Sequence, residues 1–253
     1  MGNTLQQNEE WFQARRGKFT GSNFKLLLGE GKSYYTEERN DSYGSYEKKE
    51  LSRALTIDNK GERKKFKKGD IVTYFNPYFG DTAMSYIRKV VAERMGSYDF
   101  PSSSKACDWG NDNEAEAIDV YEETSGYTTE ETGFILHPKY DFAGCSVDGI
   151  IIGENGIIEV KNPYNPANFI RYATDESYIL KEHGSQIYGN MWVMESEFCD
   201  FIAYDKRNER KPIFIQRFYR DEEKIAKIQE RVLLAEQVAQ QMYNDILNPN
   251  VEF

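Results

Sequence analysis

The sequence predicts a mixed fold of the α/β or α+β class, with a mixed central β-sheet flanked by helices, on three observations. Helical patterns open the chain, a cluster of short β-type runs fills its middle, and one long amphipathic helix closes it. No Pro-, Gly- or Ser-rich linker divides the 253 residues, so one domain spanning 1–253 is expected. A hydrophobic share of 39% can fill a core, while no run approaches the roughly 18 apolar residues of a membrane span.

Trp11 to Leu28 reads as a short helix, a glycine-containing turn at Gly17 to Gly21, and a second helix with Ser22 as its N-cap. From Gly29 to about Phe79 the chain is polar, charged and tyrosine-rich with weak periodicity, so an insertion that is partly ordered at best is expected. Asp81 to Met95 sets Ala83, Ile87, Val90 and Val91 on one helical face, and a second helix runs from about Asn111 to Ser125. Short strand patterns follow at Thr132 to Leu136, Asp141 to Val147, Gly149 to Ile152, Gly156 to Lys161, Phe198 to Tyr204 and Pro212 to Tyr219. The last helix, about 221–247, carries Ile225, Ile228, Val232, Ala235, Ala239, Met242 and Ile246 as a packing stripe.

Composition narrows the chemistry. Cys107, Cys145 and Cys199 are scattered and form no C-x-x-C, so they read as small core residues; with only His137 and His183 besides, soft metal ligands are scarce. A catalytic metal would be held by oxygen, which points to magnesium or manganese. The first ten residues lack an apolar h-region, so a cytoplasmic setting is expected. A net charge of -10 argues against simple adhesion to nucleic acid, although basic runs at Arg15-Arg16-Gly17-Lys18 and from Arg63 to Lys68 concentrate positive charge locally. Gly29-Glu30-Gly31-Lys32-Ser33 resembles the end of a phosphate-binding loop, but Leu26 stands where that motif needs glycine.

The strongest constellation is Ser146-Val147-Asp148-Gly149 followed by Glu159-Val160-Lys161. Alternation along a strand puts Glu159 and Lys161 on one face and Ile158 and Val160 on the other. With Gly153 to Gly156 as a four-residue hairpin loop, Asp148 falls opposite Lys161 and the three charges share a face. Asp148, Glu159 and the Val160 carbonyl then offer hard oxygen ligands to Mg²⁺, and Lys161 can position a water or neutralise charge growing on a phosphate. The competing reading is an ordinary charged pattern on a half-exposed hairpin. Glu114 shares a helical face with Ala117, Ile118 and Tyr121, where a carboxylate is costly unless paired or metal-bound; at the rim of that stripe it would meet solvent or a lysine instead.

Taken in order, these segments resemble the lambda exonuclease family, the YqaJ-like viral recombinases, within the wider PD-(D/E)xK nucleases. The resemblance rests on Trp11-Phe12-Gln13-Ala14-Arg15 with Thr20-Gly21-Ser22, Met84-Ser85-Tyr86, Trp109-Gly110 leading to Glu114, and Thr124-Ser125-Gly126. It continues through Ser146-Val147-Asp148-Gly149, Gly156 to Lys161 followed by Pro163, and Gln186 with Met191-Trp192-Val193. It implies a restriction-endonuclease-like core in which Asp148, Glu159 and Val160 bind the metal, Glu114 supports a second metal or its water, and Lys161 assists the nucleophile. It also implies that Arg15, Ser22, Ser146 and Gln186 bind a DNA 5′-phosphate, where Arg15 would otherwise be a surface ion pair and Gln186 a helix hydrogen bond.

The implied activity is Mg²⁺-dependent 5′-to-3′ digestion of one strand of linear duplex DNA, leaving 3′ overhangs for single-strand annealing. A trimeric ring, a single-strand-annealing partner protein and a phage or prophage origin in a bacterial host come with the same resemblance, and enclosure by a ring would offset the negative charge. The sequence departs from the family pattern in reading Ser-Val-Asp for Ser-Pro-Asp and in placing Tyr188 and Asn190 where glutamine is frequent. The alternatives are a structure- or sequence-specific endonuclease on the same fold and a non-catalytic DNA-end-binding scaffold.

Overall fold

The computed structural model describes residue 6, residues 8–29, 79–97 and 105–248, together with the backbone of short strands between 34 and 76. In chain order the elements begin with α1 (Glu9–Arg15), β1 (Phe19–Thr20), a 3-10 turn (Gly21–Asn23) and α2 (Phe24–Leu27). Then come β2 (Tyr34–Tyr35), β3 (Ser45–Leu51), β4 (Leu55–Ile57), β5 (Arg63–Lys65), β6 (Asp70–Asn76), α3 (Asp81–Arg94) and α4 (Lys105–Ser125). The central strands are β7 (Thr129–Glu130), β8 (Ile135–Leu136), β9 (Ala143–Cys145), β10 (Gly149–Ile151) and β11 (Gly156–Lys161). The chain closes with α5 (Pro166–Thr174), α6 (Glu176–Met194), β12 (Phe198–Tyr204), β13 (Ile213–Tyr219) and α7 (Glu222–Leu247).

The expected mixed sheet has the order β13-β12-β11-β10-β7, with β11 and β12 parallel and the other pairs antiparallel. All seven residues of β12 are buried, as a central strand covered on both faces requires. On one side Ile158, Val160 and Ile202 pack against Ala117 and Tyr121 of α4. On the other, Ile157, Cys199 and Phe201 join Ile187 and Met191 of α6 and the buried stripe of α7 in a larger core. A small sheet, β1-β9-β8, sits beside it, with β1 parallel to β9. Cys145 and Cys199 are buried core residues as expected, and nothing is described for the Cys107 side chain. Among the described residues no helix is long and apolar enough to cross a membrane.

Three expectations need correcting. Two helices lie between β11 and β12, where periodicity marks no element and only the alternative reading of Gln186 supposes a helix. Asn165 and Asp175 cap them by accepting from the Ala167 and Tyr178 backbone N–H groups, with Pro166 at the first position of α5. Every residue of α6 from Ile187 to Val193 is buried, which erases the polar face that periodicity needs. Second, Ser22 falls inside the 3-10 turn, and α2 starts without a side-chain cap.

Third, Ile246 is exposed, so the buried stripe of α7 ends at Met242. The stretch expected to be partly ordered at best contains a pairing of β3 with β6, extended by β2, and a β4–β5 pair; the rest of it between 30 and 78 lies outside the described residues.

Candidate active site

The β10–β11 hairpin carries the predicted charges, but in another register. Gly149 pairs with Ile158 and Ile151 with Gly156, so the loop is 152–155 and continuing the ladder sets Asp148 opposite Glu159, not Lys161. The expected register was two residues off. A slip of two preserves the face of every side chain, which is why Asp148, Glu159 and Lys161 still meet. Asp148 Oδ2 accepts from the Val160 N–H at 2.6 Å. Lys161 Nζ donates to Glu159 Oε1 and to the Val160 carbonyl, the latter at 3.1 Å.

Glu159 is 0% exposed. Its second oxygen, Oε2, accepts from Asn190 Nδ2 on α6 at 3.1 Å. Burial pushes the Glu159 carboxyl up to about 7, against the opposing pull of Lys161, and nearby Asp148 adds to the rise. Burial likewise raises Asp148, while Lys161 and the Val160 N–H pull it down. Burial alone would lower the Lys161 ammonium, but Glu159, Asp148 and Glu114 together raise it.

Glu114 arrives from α4, half-buried one turn before the fully buried Ala117. Burial lifts its carboxyl to about 7, with Asp148 adding to the rise and Lys161 opposing it. The acids and the lysine therefore share one electrostatic site. Among the described residues no three acidic, histidine or cysteine side chains form a ready-made cation cage. What the hairpin presents is a carboxylate pair with the carbonyl between Glu159 and Lys161. These donors are all oxygen, and they fit a hard divalent cation.

A second group lies at the amino-terminal end of the chain. The Arg15 guanidinium stacks over the Trp11 ring at 4.0 Å from its centroid and donates to Ser22 Oγ at 3.4 Å. Trp11 Nε1 donates to Ser146 Oγ at 2.8 Å, two residues before Asp148. Burial lowers the Arg15 pKa, with Tyr86 and Glu93 opposing. The turn that follows is held from α3: Arg94 Nε donates to the Gly17 carbonyl at 2.9 Å, and Glu93 accepts from the Gly17 N–H at 2.9 Å.

Gly17 has φ +69, and a methyl there would press on Arg94, so this turn needs glycine. Arg15, Ser22 and Ser146 are thus brought together, with Trp11 as the link. Gln186 stands half-buried on α6, one turn before Asn190, with no hydrogen bond to those three among the described residues.

The YqaJ-like viral recombinase domain matches residues 10–197, a span that contains all of these side chains. The chain belongs to this family. LHK-Exo, in the crystal structure of its complex with dAMP, aligns at a TM-score of 0.68 and 23% identity, over 94% of this chain and 96% of that one. An alkaline exonuclease structure (LHK-Exo) from Laribacter hongkongensis gives 0.66 at 21% identity, covering 95% and 96%. A phage-related exonuclease from Haemophilus somnus 129PT gives 0.60 at 18%, covering 90% and 96%. No curated protein matches.

At these identities the likeness establishes the fold, which is restriction-endonuclease-like. Membership of the YqaJ-like family, together with that fold, supports a nuclease role in recombination. Within this YqaJ-like domain the main residue that sequence reasoning missed is Asn190, noted only as a departure from glutamine. Its spacing of four from Gln186 was the available signal, since the two share a helical face, but without α6 that spacing had no meaning.

Proposed function

We propose that this chain is a Mg²⁺-dependent exonuclease that digests one strand of linear duplex DNA from its 5′ end and leaves a 3′ overhang for annealing. The observation that carries this reading is the hairpin itself: Asp148, just before β10, accepts from the Val160 N–H of β11 beside Glu159, and Lys161 is hydrogen-bonded to both Glu159 and the Val160 carbonyl. Asp148, Glu159 and the Val160 carbonyl would hold the cation, with Mn²⁺ an acceptable substitute and Glu114 serving a second ion or its water. When bound, the cation supplies Lewis-acid polarisation of the scissile phosphate and activation of the attacking water.

The chain's own residues do the rest. Lys161 sits within reach of the acids, where its ammonium orients the nucleophile and balances negative charge growing on the phosphate. Arg15, with a fork of donors and reduced solvation, is suited to a terminal 5′-phosphate, and the Ser22 and Ser146 hydroxyls lie in the same group, with Gln186 completing the shell from α6. Since Ser146 and Asp148 both lie on the short connection between β9 and β10, end recognition and cleavage share one stretch of chain. A trimeric ring around the duplex, a single-strand-annealing partner and a cytoplasmic, phage-derived setting complete the proposal, because enclosure replaces part of the adhesion a charge of -10 denies.

The deciding experiment is cleavage of linear duplex with 5′-phosphate or 5′-hydroxyl ends in magnesium, manganese or chelator, with Asp148→Ala as control. Metal-dependent loss of the phosphorylated strand, absent from the variant and from closed circles, is the expected result. Cleavage of closed circles would instead make the protein an endonuclease, and intact DNA throughout would leave an end-binding scaffold.

A further inference from the structure

Three residues beyond Lys161, the chain exposes a large aromatic side chain on a loop held unusually firmly. Tyr164 is 54% exposed. Arg207 Nη1 donates to the Tyr164 carbonyl at 3.1 Å and Nη2 to the Pro163 carbonyl at 2.9 Å. Asp205 fixes that guanidinium in turn, accepting from Nε at 2.7 Å and from Nη2 at 3.0 Å. From the other side, Asn162 Nδ2 donates to the Gly110 carbonyl at 2.9 Å and ties the loop to the helix that carries Glu114. The Tyr164 ring also meets the Trp109 ring edge-on at 6.3 Å, and Arg207 lies 4.5 Å over the same indole.

This construction joins the residue after Lys161, the start of α4 and the loop after β12. Three buried polar atoms at this junction, Trp109 Nε1, Asn113 Oδ1 and Asn162 Oδ1, have no partner among the described residues, so donor and acceptor capacity is left open beside the loop. Lys206, 5.7 Å from the Trp109 ring and ion-paired with Glu116 at 3.4 Å, adds a cation at the rim that can exchange this exposed partner for a phosphate. An exposed ring on a rigid mount presents a flat apolar face at low entropic cost, and a neighbouring cation complements a phosphate. Both features face the chemistry of a nucleic acid strand whose bases are unpaired.

We propose that Tyr164 is a stacking platform for an unpaired base of the DNA strand at the cleavage centre, with Lys206 facing its phosphate. The inference rests on the nuclease reading and adds a positioning residue to it. Its purpose would be to hold the frayed strand in line with Asp148 and Glu159 once the terminal base pair opens. Stacking of a base on an aromatic side chain is tolerant of sequence, so the platform imposes register without base preference.

The test uses the full-length protein and duplex DNA carrying 2-aminopurine at successive positions near one 5′ end. In chelator, where cleavage is stopped, one position should be quenched by the wild type and by Tyr164→Phe but not by Tyr164→Ala. In magnesium, Tyr164→Ala should lower kcat/KM by roughly 5- to 150-fold, with Tyr164→Phe restoring it. Circular dichroism should show all three proteins equally folded, since the ring is exposed. Equal quenching and equal kcat/KM in Tyr164→Ala would overturn the platform while leaving the nuclease intact. A wild type that binds and quenches but never cuts would overturn the nuclease reading on which the platform depends.

Discussion

Replacing Asn190 by alanine removes the polar grip on a buried carboxylate and leaves everything else in place. Glu159 has one partner on each oxygen, Lys161 on Oε1 and Asn190 on Oε2. Losing a hydrogen bond to a charged acceptor costs about 1.5–3 kcal/mol. The same change also deletes Asn190 Oδ1, which is buried without a partner among the described residues, and relieving an orphaned acceptor restores about 1–3 kcal/mol.

The two effects nearly cancel, and the small void left by the amide sets the sign. Net destabilisation should stay below about 2 kcal/mol, a drop in Tm of under about 8 °C for a chain of this size. Catalysis has no such cancellation, because a Glu159 held by Lys161 alone forfeits the positioning energy of the lost bond, a factor of roughly 10–150 in kcat. Asn190→Asp, of equal size, should be worse for stability, since it sets a second carboxylate against Glu159. Urea unfolding and single-turnover cleavage of end-labelled duplex read the two effects separately. Cleavage within about threefold of wild type, in a protein unfolding at the expected midpoint, would refute the positioning role.

Other outcomes follow from the same geometry. Lys161→Ala should lower cleavage by several orders of magnitude while the protein remains folded, and near-normal turnover would remove it from the mechanism. Arg15→Ala should slow digestion of 5′-phosphorylated ends more than of 5′-hydroxyl ends; equal loss on both would contradict the anchoring role. His183 bonds the Tyr172 hydroxyl at 2.9 Å, and burial holds its pKa at about 3, below the ordinary 6.5. Because the folded value is the lower one, the stability from neutral His183 is complete above the unfolded pKa and is lost as pH falls towards 3. The slope is at most about 1.4 kcal/mol per pH unit, and less for a half-buried ring. His183→Phe should flatten that loss, which urea midpoints measured at about pH 5 and pH 7 would reveal.

The local chemistry was legible because it is written in short-range pattern. Alternation along a strand fixed Glu159 and Lys161 on one face of β11 before any partner was known, and it survived a wrong register because a slip of two leaves faces unchanged. The faces of α3 and α7 were equally visible, since each has a solvent side to set the apolar stripe against. The hidden element was α6, whose second half is buried all round and offers no such contrast.

By itself, then, the sequence nominated the candidates for chemistry: the acids at 148 and 159, the lysine at 161, the arginine at 15 and the helical glutamate at 114. Only the tertiary structure decided which of them meet. Asn190 reaches Glu159 across 31 residues of chain, and Trp11 reaches Ser146 across 135. Such pairs are set by how helices and sheet pack, through burial and hydrogen bonding between segments that carry no trace of one another in their local pattern.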